Sequence, residues 1–157
     1  PYSAATPLLR GLLDLRGRLA SWSVMVQREV AQRMAAGAGE RDYGSFAVLH
    51  ALAARVEVLA NLPADAFFPA PKVVSSFVRI EPRSEQEISP DALRAAERVA
   101  RAAFGKRRKT LANALKGGGF RGAVDEAIAT VGLDARVRAE ELEPATFLQL
   151  AEELQPT

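Results

Sequence analysis

Near Arg83 the hydrophobic period of this chain changes, and that change restricts its fold more than any single motif. Side chains repeat every two residues along a strand and every 3.6 along a helix, so the period in use reports the element being built. Up to Arg83 both periods occur in turn. "SSFVRIEP" reads as a strand, with Ser75, Phe77 and Arg79 alternating against Ser76, Val78 and Ile80. "SWSVMVQ" (Ser21–Gln27) is short and apolar, and its Val-Met-Val run suits a strand buried on both faces. "RVEVLANL" predicts a third strand. Helical spacing occupies the intervals. "TPLLRGLLDL" has Thr6 placed to cap and Pro7 at the first helical position, "REVAQRMAAG" closes at Gly37, and "SFAVLHALAA" follows. Strand and helix alternating in this way predict an α/β sheet.

Beyond the polar stretch around Arg83–Ser89 the β signals stop. Ser89-Pro90-Asp91 is a capped helix start, and "PDALRAAERVARAAF" carries Leu93, Ala96, Val99, Ala100 and Ala103 at helical spacing. "KRRKTLANALKGGG" predicts a second helix ended by three glycines, and "AVDEAIATVG" and "PATFLQLAEELQ" predict two more. The expected organisation is an α/β part over residues 1–83 and a small helical part over residues 84–157. A length of 157 residues suits one domain, or one small domain with a piece of another.

Composition excludes several chemistries. No apolar run approaches the roughly 18 residues that a membrane-spanning helix needs. The chain has no cysteine, so neither a disulfide nor a thiolate metal site can form, which fits a reducing cytoplasm. Its one histidine, His50, cannot build a metal centre, and its setting in "FAVLHALAA" predicts a packed helix position. The net charge of +2 conceals a polarity. Arg94 to Arg121 holds nine basic residues and one acid, whereas Gly122 to Thr157 holds two basic residues and eight acids. So concentrated a basic stretch suits a polyanion binder, or a solvated helix face.

"FFPAPKVV" places Phe67 and Phe68 before Pro69 and Pro71 and sets Lys72 beyond them. The prolines stiffen the segment. A rigid loop with an aromatic ring beside a cation can stack a flat base near a phosphate. Alternatively, both rings are core and the prolines punctuate.

"AFFPAPKVVSSFVRI" resembles the F-x-P-x-P-x-V-x-S-x-x-V motif of the ribosomal RNA adenine dimethyltransferases at Phe67, Pro69, Pro71, Val73, Ser75 and Val78. "MVQREVAQRM" and "YGSFAV" are similar to that family's strand-to-helix segment and the turn after it. "FGKRRKTLANAL" resembles the start of its C-terminal helical region, and the opening "PYSAATPLL" resembles the segment that begins within its N-L-P-Y motif. The resemblance implies an α/β fold, the C-terminal part of a Rossmann-like class I methyltransferase sheet followed by a small all-α domain. It implies S-adenosylmethionine-dependent dimethylation of adenine exocyclic amines in small-subunit ribosomal RNA, with the pre-ribosomal small subunit as partner. The Gly-rich turn and acidic residue that would hold the cofactor have no counterpart. "GAGE" at Gly37 and "GGG" at Gly117 follow helices, whereas a cofactor turn follows a strand. The expectation is therefore a substrate-side fragment that is inactive alone, from an enzyme that is monomeric when intact.

Roles carry over residue by residue. Pro1 would accept from the target amine through its carbonyl, and Tyr2 and Phe67 would stack on the two faces of the adenine. Lys72, Lys106, Arg107, Arg108, Lys109 and Lys116 would hold the RNA backbone. Ser75 would fix the loop, having no base beside it in sequence, and Trp22 would be core. A strand at Ser21–Gln27 lacking a neighbour would let the chain self-associate. The Erm-type large-subunit methyltransferases share the motif, and a non-catalytic rRNA-binding or assembly module is a third reading.

Overall fold

The computed structural model describes residues 4–106 and 108–154, so the expectations placed on Pro1, Tyr2 and Arg107 fall outside the described residues. The order is α1 (Ala5–Asp14), β1 (Trp22–Gln27), α2 (Arg28–Ala35), α3 (Ser45–Ala53), β2 (Ala54–Leu62), β3 (Ser75–Pro82), α4 (Pro90–Phe104), α5 (Leu111–Gly117), α6 (Val124–Thr130) and α7 (Pro144–Glu153). Three strands form one sheet in the order β1-β3-β2. Central β3 runs antiparallel to both neighbours, so β1 and β2 point the same way.

The alternation in β3 produces the expected burial. Val78 and Ile80 are fully buried, while Phe77 and Arg79 face solvent. β1 departs from the expectation. Val26 is buried, but Ser23 and Met25 are exposed, because only one face of β1, itself one of the two edge strands, is covered. α2 and α3 pack on the sheet, and α3 also packs on α4 and α7. That central placement explains why α3 buries Ala47, Val48, Leu49, His50, Leu52 and Ala53, residues from all round the helix. One apolar cluster runs from α1 to α7, with Trp22 partly buried against it.

α4 begins as its capping signal predicts, with the Ser89 hydroxyl accepting from the Ala92 amide at 3.1 Å. Three polar ties join α1, the turn after it and α3 to the segment that leads into α4 and to α4 itself. The buried Arg16 guanidinium donates to the Ile88 carbonyl at 2.6 Å. The Arg83 amide donates to the Ala53 carbonyl at 2.8 Å. Arg10 grips the Glu97 carboxylate with Nε at 2.8 Å and Nη2 at 2.6 Å.

Three local readings need correction. α1 starts at Ala5, so Thr6 and Pro7 lie inside its first turn and no side chain caps it. α2 ends at Ala35, and the chain is already extended at Ala36 before Gly37. The basic run does not continue as a helix through Lys106–Leu115. α4 ends at Phe104, Arg108 adopts a left-handed φ of 64°, and Thr110 caps α5, its hydroxyl facing the Asn113 amide at 3.5 Å. Lys106, Arg108 and Lys109 therefore sit on a connection between helices. A helix through Lys106–Leu115 would turn Thr110, Leu111 and Leu115 to the core; Leu111 and Leu115 are buried, whereas Thr110 is only half-buried at the cap.

Candidate nucleic-acid interface

The α4–α5 connection forms one wall of a cleft of about 900 Å³. Lys106, Arg108 and Lys109 line it from this side, joined by Arg138 from the segment before α7. Arg33 of α2 and Arg41 of the loop leading to α3 line the other side. Six basic side chains thus meet three acids, Glu40, Asp42 and Glu140, in one concavity. A cleft with an excess of one sign concentrates counter-charged ligands more strongly than an even surface.

The walls are tied together beneath the cations. Tyr43 is buried, and its hydroxyl donates to the Leu142 carbonyl at 2.7 Å. Its ring meets Phe104 edge-on at 5.6 Å, and Phe104 lies along Phe147 at 5.8 Å. Burial, and then the charge of Glu143, push the Tyr43 phenol well above its ordinary range, so it remains a neutral donor rather than an acid or base. The Gly39 amide donates to the Glu140 carbonyl at 2.8 Å, and the Arg33 guanidinium lies 5.7 Å from the Phe46 ring centre. The cations are therefore carried on a braced frame.

The Phe67 segment lies elsewhere, at the end of the sheet where β1 and β2 finish and β3 begins. Gln27 and Leu62 both pair with Ser75, and the Arg28 amide donates to the Val74 carbonyl at 3.0 Å. Buried Ser76 donates to Asn61 Oδ1 at 2.6 Å, which pins the root of the connection. β1 and β2 both end here, so the connection stands at their shared carboxyl end. Phe67 is half-buried and Lys72 exposed; Phe68 is fully exposed. Ala4, Ala5 and Leu8 line an apolar cleft of about 480 Å³ with Val24, Met25 and Val26. The first described residues and the Phe67 connection therefore both border β1 toward its carboxyl end.

Among the expected RNA contacts, Lys106, Arg108 and Lys109 are brought together. Lys72 lines neither of these clefts, nor does Lys116, whose ammonium is paired with Asp125 at 2.5 Å. Arg33, Arg41 and Arg138 were not singled out in sequence. They lie outside the basic run, and only the packing of α2, α4 and α7 around α3 assembles them with it. Among the described residues no group of His, Asp and Glu could hold a metal ion, and no helix is long and apolar enough to cross a membrane.

Comparison with known proteins gives a consistent result. The family model described as "Ribosomal RNA adenine dimethylase" matches residues 1–156. The chain is 41% identical over 99% of its length to a ribosomal RNA small subunit methyltransferase A from Methylococcus capsulatus, covering 59% of that protein. A relative of the same name from Pseudomonas putida is 40% identical over 98% of the chain, covering 56% of that protein. One from Phenylobacterium zucineum is 43% identical over 97% of the chain, covering 52% of that protein. The chain thus spans little more than half the length of these relatives. Among solved structures it is similar to a dimethyladenosine transferase from Plasmodium falciparum, with a TM-score of 0.82 at 22% identity, over 98% of this chain and 64% of that one. It is also similar to the 23S rRNA methyltransferase ErmE, with a TM-score of 0.65 at 22% identity, over 98% of this chain and 62% of that one. The two likenesses agree with the expected fold, the C-terminal part of a methyltransferase sheet with helices after it. From the family match over nearly its whole length, this chain belongs to the ribosomal RNA adenine dimethylase family.

Proposed function

We propose that this chain forms the RNA-holding and target-adenine side of an enzyme that dimethylates adenine in small-subunit ribosomal RNA, in the cytoplasm. The observation that carries the reading is the cleft where Arg33, Arg41, Lys106, Arg108, Lys109 and Arg138 converge. In this reading the cleft neutralises backbone phosphates, with residues 84–157 as the helical RNA-binding domain. Pro1, Tyr2 and Phe67 receive the base. The carbonyl of Pro1 accepts from the exocyclic amine and orients it, and Tyr2 and Phe67 stack on the ring. Extracting the adenine from its helix costs a few kcal/mol, and stacking of roughly 1–3 kcal/mol per base offsets part of that. Lys72 and Lys116 then make outlying phosphate contacts, Lys116 by leaving Asp125.

S-adenosylmethionine is the methyl donor for methyltransferases of this type, but the described residues do not fit it. β1 passes directly from Gln27 into α2 at Arg28 with no glycine at the junction. Gly37 follows the end of α2, and Gly117–Gly119 stand at the end of α5. A helix C-terminus offers carbonyl oxygens rather than the amides that a cofactor turn presents. The donor therefore belongs, in this reading, to that part of the relatives' length which the chain does not span.

Fluorescence anisotropy with small- and large-subunit rRNA fragments of equal length tests the reading. Tighter binding of the small-subunit fragment is expected, weakened more than tenfold by Arg108→Glu with Lys109→Glu. Preference for the large-subunit fragment would favour the Erm-type alternative, and undiminished binding by the variant would overturn the cleft's role. Calorimetric titration with S-adenosylmethionine should show no binding; micromolar affinity would contradict the absence of a donor site.

A further inference from the structure

On the far side of Lys106 lies a second concavity, of about 540 Å³, that the reading above leaves unused. Its lining is of two kinds. Arg98 and Arg101 stand three residues apart on one face of α4, and Lys106 joins them beyond the helix end. Ala102, Gly118 and Phe120 supply an apolar surface. No acidic residue lines it, unlike the larger cleft, where three do.

The apolar surface is made by a close approach of two helices. A Cβ on Gly118 would lie 2.4 Å from the Ala102 Cβ and 2.9 Å from its Cα, so α5 ends with its backbone against α4. Next to this surface stands the half-buried ring of Phe120. Of the three cations, Arg101 is held by Glu97 at 2.9 Å, whereas Arg98 and Lys106 have no ion-pair partner among the described residues. An aromatic ring on an apolar floor, under a rim of three cations of which two are unpaired, matches a ligand that is planar at one end and anionic at the other. The volume is within the range of small-ligand sites.

We infer that this pocket takes one unpaired nucleotide of the bound RNA, its base against Phe120 and its phosphate on Arg98 and Lys106. The assignment rests on the RNA reading of the larger cleft, because Lys106 lines both and makes them stations along one path. It adds a structural preference to that reading. Phosphate contacts alone hold any strand, whereas a pocket for a single extruded base favours RNA with a bulge.

The probe is an RNA hairpin with one bulged adenosine, compared with the same hairpin fully paired, by anisotropy on the 157-residue chain. About tenfold tighter binding of the bulged hairpin is expected, the scale of one base–aromatic stack. Phe120→Leu keeps most of the apolar volume and should remove the preference while leaving affinity for the paired hairpin unchanged. Arg98→Gln, at an exposed position, should lower affinity for the bulged hairpin more than for the paired one. If the wild type binds both hairpins equally, or either variant keeps the full preference, the pocket assignment is overturned and the RNA reading of the larger cleft stands. If neither hairpin binds, the RNA reading falls and the pocket falls with it.

Discussion

Acid should destabilise this protein through His50, by an amount that can be worked from its surroundings. The ring is fully buried in α3, 4.4 Å from Phe46 between ring centres. Nδ1 lies 2.9 Å from the Phe46 carbonyl oxygen, which can only accept, so Nδ1 carries the proton of the neutral ring. Nε2 is buried and, among the described residues, has no partner. Burial therefore lowers the His50 pKa to about 4, with the charge of Arg10 adding to it and the bond to Phe46 opposing it. The unfolded chain takes up the proton near pH 6.5, so it binds more protons than the folded chain between 6.5 and 4, and stability is lost as pH falls through that window. From pH 7 to pH 5 the loss from this one group is about 2 kcal/mol, or roughly 6 °C in Tm for a chain of this size. Urea unfolding at both pH values, on the wild type and on His50→Leu, isolates it from other titrations. The variant should lose about 2 kcal/mol less than the wild type over the same interval. Equal losses in the two proteins would refute the assignment of a neutral, unpartnered ring.

Two further perturbations probe the frame that carries the cleft, and a third prediction concerns β1. Glu97→Gln removes a carboxylate whose side chain is 11% exposed and which holds both Arg10 and Arg101. It should cost about 1–3 kcal/mol in urea unfolding, and a change under about 0.5 kcal/mol would mean that the α1–α4 tie contributes little. Gly118→Ala forces the α5 end away from Ala102 and should cost about 1–3 kcal/mol. Adding Ala102→Gly should recover part of it, and strict additivity in the double variant would contradict a direct clash. The edge strand β1, with Met25 44% exposed, should pair with a second copy. Light scattering at high concentration should report dimers or larger species, and a uniform monomer would count against this.

The helices and strands were largely legible because their signals are local. Ser89, Pro90 and the apolar spacing of α4 define it within its own residues, and the alternation of β3 survives because one face is buried. The basic run reads as helix because arginine and lysine are good helix formers. The competing signals, Gly105 closing α4 and Thr110 before apolar Leu111, were present in the same stretch. β1 reads as doubly buried because an apolar run records what a strand can tolerate, not what covers it. The cleft was only half legible. Lys106, Arg108 and Lys109 announce themselves as a run, but Arg33, Arg41 and Arg138 join them only through the packing of α3 against four other elements, which no local pattern encodes.

The salt dependence of RNA binding tests the electrostatic cleft most directly. Each phosphate that a single strand loses to a protein cation contributes about 0.7 to the slope of log affinity against log salt, so six cleft cations permit a slope of about −4. The variant combining Arg33→Ala, Arg41→Ala and Arg108→Ala should flatten that slope by about 2. A wild-type slope shallower than about −1, or one that the triple variant leaves unchanged, would show that the RNA is held somewhere else.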